Sequence, residues 1–109
     1  DGVSLWEQTY EAYPTSPQVC RSLGNAYLFG RGYERAPEER TVQALAVYEA
    51  CYDRFGMPEM FLKNLAITHF RLGLWSESNA LFRQYLSLNP EDETTLRYLE
   101  TLRRNMRED

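Results

Sequence analysis

The chain is short of the residues that build most reactive sites. It has two cysteines, Cys20 and Cys51, and one histidine, His69. Two cysteines are too few for a small disulfide-built scaffold, and neither has a Cys or His neighbour at the spacing of a structural zinc site. An excess of basic charge is lacking as well. Twelve Lys and Arg stand against 16 Asp and Glu, a net charge of −4. That balance excludes general affinity for nucleic acid, whose phosphates need a basic surface, and only a local basic stripe would restore it. The longest uninterrupted apolar run, Ala44 to Tyr48, is far below the roughly 20 residues of a bilayer span. No charged-then-apolar leader opens the chain, which begins at Asp1 and not at Met, so it is expected to be processed or cut from a longer protein. A soluble protein is expected. The compartment stays open, with the cytoplasm favoured over the periplasm or secretion. Period-2 alternation is absent too, which argues against strands.

What is present is apolar material in helical order. A hydrophobic content of 43% with 14% aromatic residues can order a core, so intrinsic disorder is excluded. The 109 residues are enough for one domain, spanning 1–109. Apolar or small residues recur at i, i+3, i+4 and i+7 in Trp6–Tyr13, Cys20–Tyr27, Ala44–Cys51, Leu62–His69 and Ser78–Tyr85. A sixth, narrower stripe, Leu96, Leu99, Leu102 and Met106, has charges around it. Pro17, Pro37 and Pro58 sit where helices begin, and Pro90 precedes Glu91, Asp92 and Glu93 in a helix-opening turn. The spacing predicts helices near 3–13, 17–29, 38–55, 58–72, 75–88 and 91–106.

These units repeat. Leu65 to Leu99 spans 34 residues, and Leu23 to Leu65 spans 42, which is 34 plus 8. The extra eight fall around Gly30–Pro37, an expected exposed connection from which Tyr33 to Ala36 should be removable. Trp6, Tyr48 and Phe82 each stand eight residues before a helix breaker, Pro14, Gly56 and Pro90. A period of 34 with helix, turn and helix in each unit reads as a solenoid.

The segment Asn64-Leu65-Ala66, with His69, Gly73, Ser78, Phe82 and Asn89-Pro90, resembles the tetratricopeptide repeat (TPR). The earlier segment Leu23-Gly24-Asn25-Ala26-Tyr27, with Gly30-Arg31-Gly32, Ala44, Tyr48 and Cys51, resembles its Sel1-like variant. The resemblance implies an all-α, right-handed solenoid of stacked helix-turn-helix repeats. Residues 3–13 would be the second helix of a preceding repeat, 17–56 a Sel1-like repeat with an insertion, 58–90 a TPR and 91–106 a capping helix. It also implies a scaffold for protein partners, with no cofactor and no metal.

Candidates for chemistry are few. His69 fills a slot where the repeat places a core tyrosine, so a packed, hydrogen-bonded histidine is expected and an enzyme is not. Gly30-x-Gly32 follows a helix, not a strand, and reads as a turn. Cys20 and Cys51 occupy facing slots of one helix pair; this permits a disulfide, while two small buried core residues are the preferred reading. Tyr10, Tyr27, Tyr48 and Tyr85 are assigned to core stripes, leaving Tyr33, Tyr52 and Tyr98 without a role.

One constellation remains. A basic residue stands two positions before the leucine of each first helix: Arg21, Lys63 and Arg97. In a stacked array these positions align on the concave wall, together with Asn25, Ile67 and Thr101 one turn on, and Phe29, Arg71 and Arg104 near the helix ends. Arg21, Asn25 and Asn64 stand where TPR domains of the carboxylate-clamp type hold a peptide's terminal carboxylate, although Thr94 and Tyr98 replace the clamp's remaining cations. The expected ligand is an acidic or C-terminal peptide segment in that groove. The alternative is a structural or assembly role, docking or oligomerising within a larger protein through Trp6, Tyr10 and Tyr13 on residues 3–13.

Overall fold

A computed structural model describes residues 2–30, 37–56 and 58–107. The protein is all-α: six helices, 86% helical, with no strand among the described residues. They are α1 (Gly2–Ala12), α2 (Pro17–Phe29), α3 (Pro37–Phe55), α4 (Pro58–Arg71), α5 (Trp75–Leu88) and α6 (Glu93–Arg107). Each predicted helix is found, with ends shifted by no more than two residues. The insertion around Tyr33 to Ala36 lies outside the described residues.

Local chemistry sets these boundaries. Ser16 caps α2, its Oγ accepting from the Val19 N–H at 3.2 Å, with Pro17 as the first helical residue. Asp92 caps α6 in the same way, its Oδ2 accepting from the Thr95 N–H at 3.0 Å. Gly56 and Gly73 close α3 and α4 at φ of 61° and 74°, where a side chain would be strained.

The chain divides into two compact units, Asp1–Met57 and Pro58–Asp109. In the first, α2 packs against both α1 and α3. The stripe Cys20, Leu23, Gly24 and Tyr27 is buried, and so are Ala44, Tyr48 and Cys51 of α3. Gly24 permits the close approach: a Cβ there would lie 2.5 Å from Tyr48 Cε1. At one end of the α2–α3 seam Cys20 and Cys51 are joined in a disulfide, with Cα atoms 6.1 Å apart. The preferred reading of two unlinked core thiols is therefore corrected; both residues are buried, and facing slots on packed helices bring the sulfurs into bonding range. Towards the other end, Arg40 Nη1 donates to the Gly30 carbonyl at 2.5 Å.

In the second unit, α5 packs against α4 and α6. Phe82 is fully buried and stacks on Tyr98, with ring centroids 4.7 Å apart and planes 17° from parallel. Phe70 meets the edges of Tyr98 at 4.9 Å and Trp75 at 5.2 Å. Tyr98, without a role in the sequence, is thus part of an aromatic cluster. The expected dry stripe of α6 needs correction. Thr95 and Leu102 are fully buried, whereas Leu96 and Met106 are 46% and 36% exposed. Thr95 can occupy the inner face because its hydroxyl donates to Asp92 Oδ2 at 2.6 Å, so no polar hydrogen is stranded. The apolar stripe of α1 is also rotated from expectation: Val3 is buried, Trp6 and Tyr10 are half-buried, and Leu5 and Tyr13 are more than 60% exposed.

Candidate functional site

The basic ladder is divided between the two units. Arg21 and Asn25 lie on α2 in the first; Lys63, Asn64, Ile67 and Arg71 on α4, and Arg97, Thr101 and Arg104 on α6, lie in the second. Each has its own fate. Arg21 is exposed. Asn25 is half-buried and committed to the interior, its Oδ1 accepting from the buried Tyr48 hydroxyl at 2.5 Å. Phe29, near the end of α2, is 45% exposed.

On α4 the ladder does not form an open wall. Lys63 Nζ lies 3.1 and 3.2 Å from the two oxygens of Asp92 and 5.6 Å from the centre of the Tyr85 ring, so its charge is answered within the unit. Ile67, one turn on, is only 6% exposed and belongs to the packed interior, which corrects its expected place on the wall. Asn64 is half-buried, and its backbone carbonyl accepts from Thr68 Oγ1 at 2.7 Å. Arg71 is exposed at the helix end.

On α6, Arg97, Thr101 and Arg104 are all exposed. Thr101 Oγ1 donates to the Arg97 carbonyl at 3.1 Å, and Arg104 Nη2 to Glu100 Oε1 at 2.8 Å. Such an exposed i, i+4 pair contributes little to stability, and it leaves Arg104 available for exchange with another carboxylate. The guanidinium groups of Arg21 and Arg97 have no polar partner among the described residues.

The Asp92 carboxylate is held below its ordinary range. The Thr95 hydroxyl is the largest cause, aided by the Thr95 N–H and by Lys63, while burial opposes them. This is capping chemistry, and it accounts for Lys63 better than a ligand does. His69 is likewise accounted for. Its Nδ1 lies 2.8 Å from the Leu65 carbonyl, which can only accept, so Nδ1 carries a proton and the ring is a half-buried donor to its own helix. Among the described residues no group of three or more His, Cys, Asp or Glu could hold a metal ion, and no helix is long and apolar enough to cross a membrane.

The chain has no match among family models, curated proteins or solved structures. Its function is therefore argued from its own surface.

A second concavity was missed in the sequence. Within the first unit a cleft of about 650 Å³ is walled by Glu7, Tyr10 and Glu11 of α1 and floored by Leu23 and Tyr27 of α2, with Val47 of α3 beside them. The Tyr27 hydroxyl donates to Glu7 Oε2 at 2.5 Å. The only signal in the sequence was the spacing of Glu7 and Glu11 on one face of α1; the partner helix could not be read from it.

Proposed function

We propose that this chain is a tetratricopeptide-like module, with a Sel1-like first repeat, that binds an acidic or C-terminal peptide segment and catalyses no reaction. The observation that carries the reading is an exposed guanidinium in each unit, Arg21 in the first and Arg97 in the second, each on a first-helix position of the repeat and without an intramolecular polar partner among the described residues. A charged side chain that is not spent on folding is free to recognise a carboxylate, and Arg does so with two parallel hydrogen bonds. The packing of α2 on α3 in the first unit, and of α4 on α5 and α5 on α6 in the second, supports the repeat reading. The net charge of −4 argues against nucleic acid as the partner.

The Cys20–Cys51 disulfide favours an oxidising compartment over the cytoplasm, because reduced surroundings keep thiols apart.

The test is calorimetric titration of an acidic peptide ending in a free carboxylate, at low and physiological salt, against wild type and Arg21→Glu/Arg97→Glu. Binding should weaken with salt and vanish in the double variant while the helical signal stays. Equal binding by both proteins would overturn the reading. Assembly within a larger protein is a second reading, favoured by the exposure of Leu5 (61%) on α1 and of Tyr13 (63%) just past its end. Loss of a concentration-dependent oligomer in Leu5→Ser/Tyr13→Ser, read by sedimentation, would support it; a monomer at every concentration would count against self-assembly.

A further inference from the structure

We infer that the exposed flank of α6 receives α1 of a second copy of this chain in a head-to-tail contact; the inference rests on the assembly reading and names the mate of α1. On α6, Leu96, Leu99, Arg103 and Met106 recur at i, i+3, i+7 and i+10, the spacing of one helix flank. This flank lies beside the packed face of Thr95 and Leu102. Leu96 is 46% and Met106 36% exposed, Leu99 is half-buried and Arg103 is exposed. Apolar knobs at that spacing are what a second helix packs against.

Charge selects the occupant. α6 carries four arginines, Arg97, Arg103, Arg104 and Arg107, against Glu93 and Glu100. Arg103 and Arg107, one turn apart beside the apolar knobs, have no polar partner among the described residues. α1 has the opposite sign, with Glu7 and Glu11 and no basic residue. Glu7 is already bonded to the Tyr27 hydroxyl, so the exposed Glu11 is the group that answers an arginine. The apolar contribution of α1 is Leu5, 61% exposed, with the exposed Ala12 two turns on, small enough to let the helix axes approach. Two α6 flanks would bring arginine against arginine, and two α1 faces would bring Glu11 against Glu11. The mixed pair joins opposite signs.

The two faces differ and belong to different units of the chain, so each copy that docks leaves one face of each kind unused at the ends of the assembly. Growth therefore continues past a dimer until a ring closes. One helix lying on another is at the small end of interfaces, so the contact is weak and depends on concentration.

The experiment is sedimentation equilibrium of the full chain up to roughly millimolar concentration, with two variants that each remove one face: Leu5→Ser/Glu11→Gln on α1, and Leu96→Ser/Arg103→Gln on α6. Wild type should exceed twice the mass of one copy and lose mass as salt rises. Each variant alone should stay at the mass of one copy with its helical signal intact, since all four side chains are exposed. An equal mixture should stop at two copies, because one intact face of each kind remains. Assembly of Leu96→Ser/Arg103→Gln to the same extent as wild type would overturn the proposal and leave self-assembly through α1 standing. A mixture that stays at one copy while wild type assembles would overturn it too, because like faces would then be meeting. A wild type that is monomeric at every concentration would overturn both this inference and the self-assembly on which it rests.

Discussion

Gly24 and Tyr48 touch face to face: a methyl group on Gly24 would sit 2.5 to 2.8 Å from three atoms of the Tyr48 ring. The ring has nowhere to go. Tyr48 is fully buried, and its hydroxyl is tied to Asn25, one residue along α2 from Gly24. The same two helices are therefore brought together by a missing side chain and held in register by a hydrogen bond. Glycine inside an exposed helix costs about 1 kcal/mol relative to alanine, so Gly→Ala ordinarily stabilises. Here the sign reverses. Gly24→Ala should lower stability, because overpacking of about 1 to 3 kcal/mol exceeds the gain in helix propensity. Thermal unfolding followed by circular dichroism checks it; a raised midpoint would mean that the seam has slack.

Removing the disulfide tests the same seam from its other end. Cys20 and Cys51 are 31 residues apart, and cross-linking a loop of that size restricts the unfolded chain by about 3 to 4 kcal/mol. Cys20→Ala/Cys51→Ala should unfold at a clearly lower denaturant concentration than the oxidised protein. Both cysteines are 1% exposed, so alkylation after treatment with a mild reductant should proceed only as fast as the first unit opens. Rapid alkylation in native buffer would show that the helix pair separates readily.

The helices were legible because punctuation and periodicity agreed. Pro17, Pro37 and Pro58 open helices, and Gly56 and Gly73 close them in a backbone conformation that suits glycine. The stripe Cys20, Leu23, Gly24, Tyr27 is buried as its spacing required. The inner face of α6 was not legible, because the apolar count passed over Thr95. Its fitness for the interior depends on Asp92, whose role appears only when the capping turn is formed.

The candidate site was less legible, and for one reason throughout. A basic residue at a repeat position says nothing about a carboxylate 29 residues away, yet Asp92 is what occupies Lys63. Asn25 looked like a neutral donor for a ligand, and Tyr48 claims it. Ile67 fell on the expected wall, but its hydrophobicity placed it inside. The acidic cleft joins Glu7 to Tyr27, 20 residues apart on different helices. Each of these facts is a pairing between elements, which periodicity along one element does not encode.

Phe82→Ala should be among the most damaging substitutions in the second unit. The ring is fully buried and stacks on Tyr98, so truncation removes both its own burial and the support of its neighbour. The expected loss is about 3 to 5 kcal/mol, a large part of the stability of a small domain. Phe82→Leu should cost visibly less, since it refills much of the volume. Equal midpoints for Phe82→Ala and wild type, read by differential scanning calorimetry, would refute the packing described for α5 and α6.

Acid should act on the second unit through Asp92. Its carboxylate is held below the ordinary value of 3.8, first by the Thr95 hydroxyl, then by the Thr95 N–H and Lys63. A group whose pKa is lower in the folded state binds fewer protons there than in the unfolded chain, so its contribution is complete above the ordinary carboxylate pKa. As pH falls through that value and on through the lowered one, the contribution is lost. Protonation removes the anionic acceptor that caps α6 and the partner of Lys63 at 3.1 Å. Asp92→Asn keeps a capping oxygen but not the charge, and it should cost less than Asp92→Ala, for which about 1 to 2 kcal/mol is expected from the lost cap. The diagnostic is the difference between curves and not the absolute stability. Wild type and Asp92→Asn should differ most near neutral pH and draw together as pH falls through the ordinary carboxylate value of 3.8 and on through the lowered one, as the charge is lost. Measured by urea unfolding from pH 7 down to pH 2.5, a gap that stayed constant with pH would show that Asp92 contributes through shape alone and that its charge does not matter to the fold.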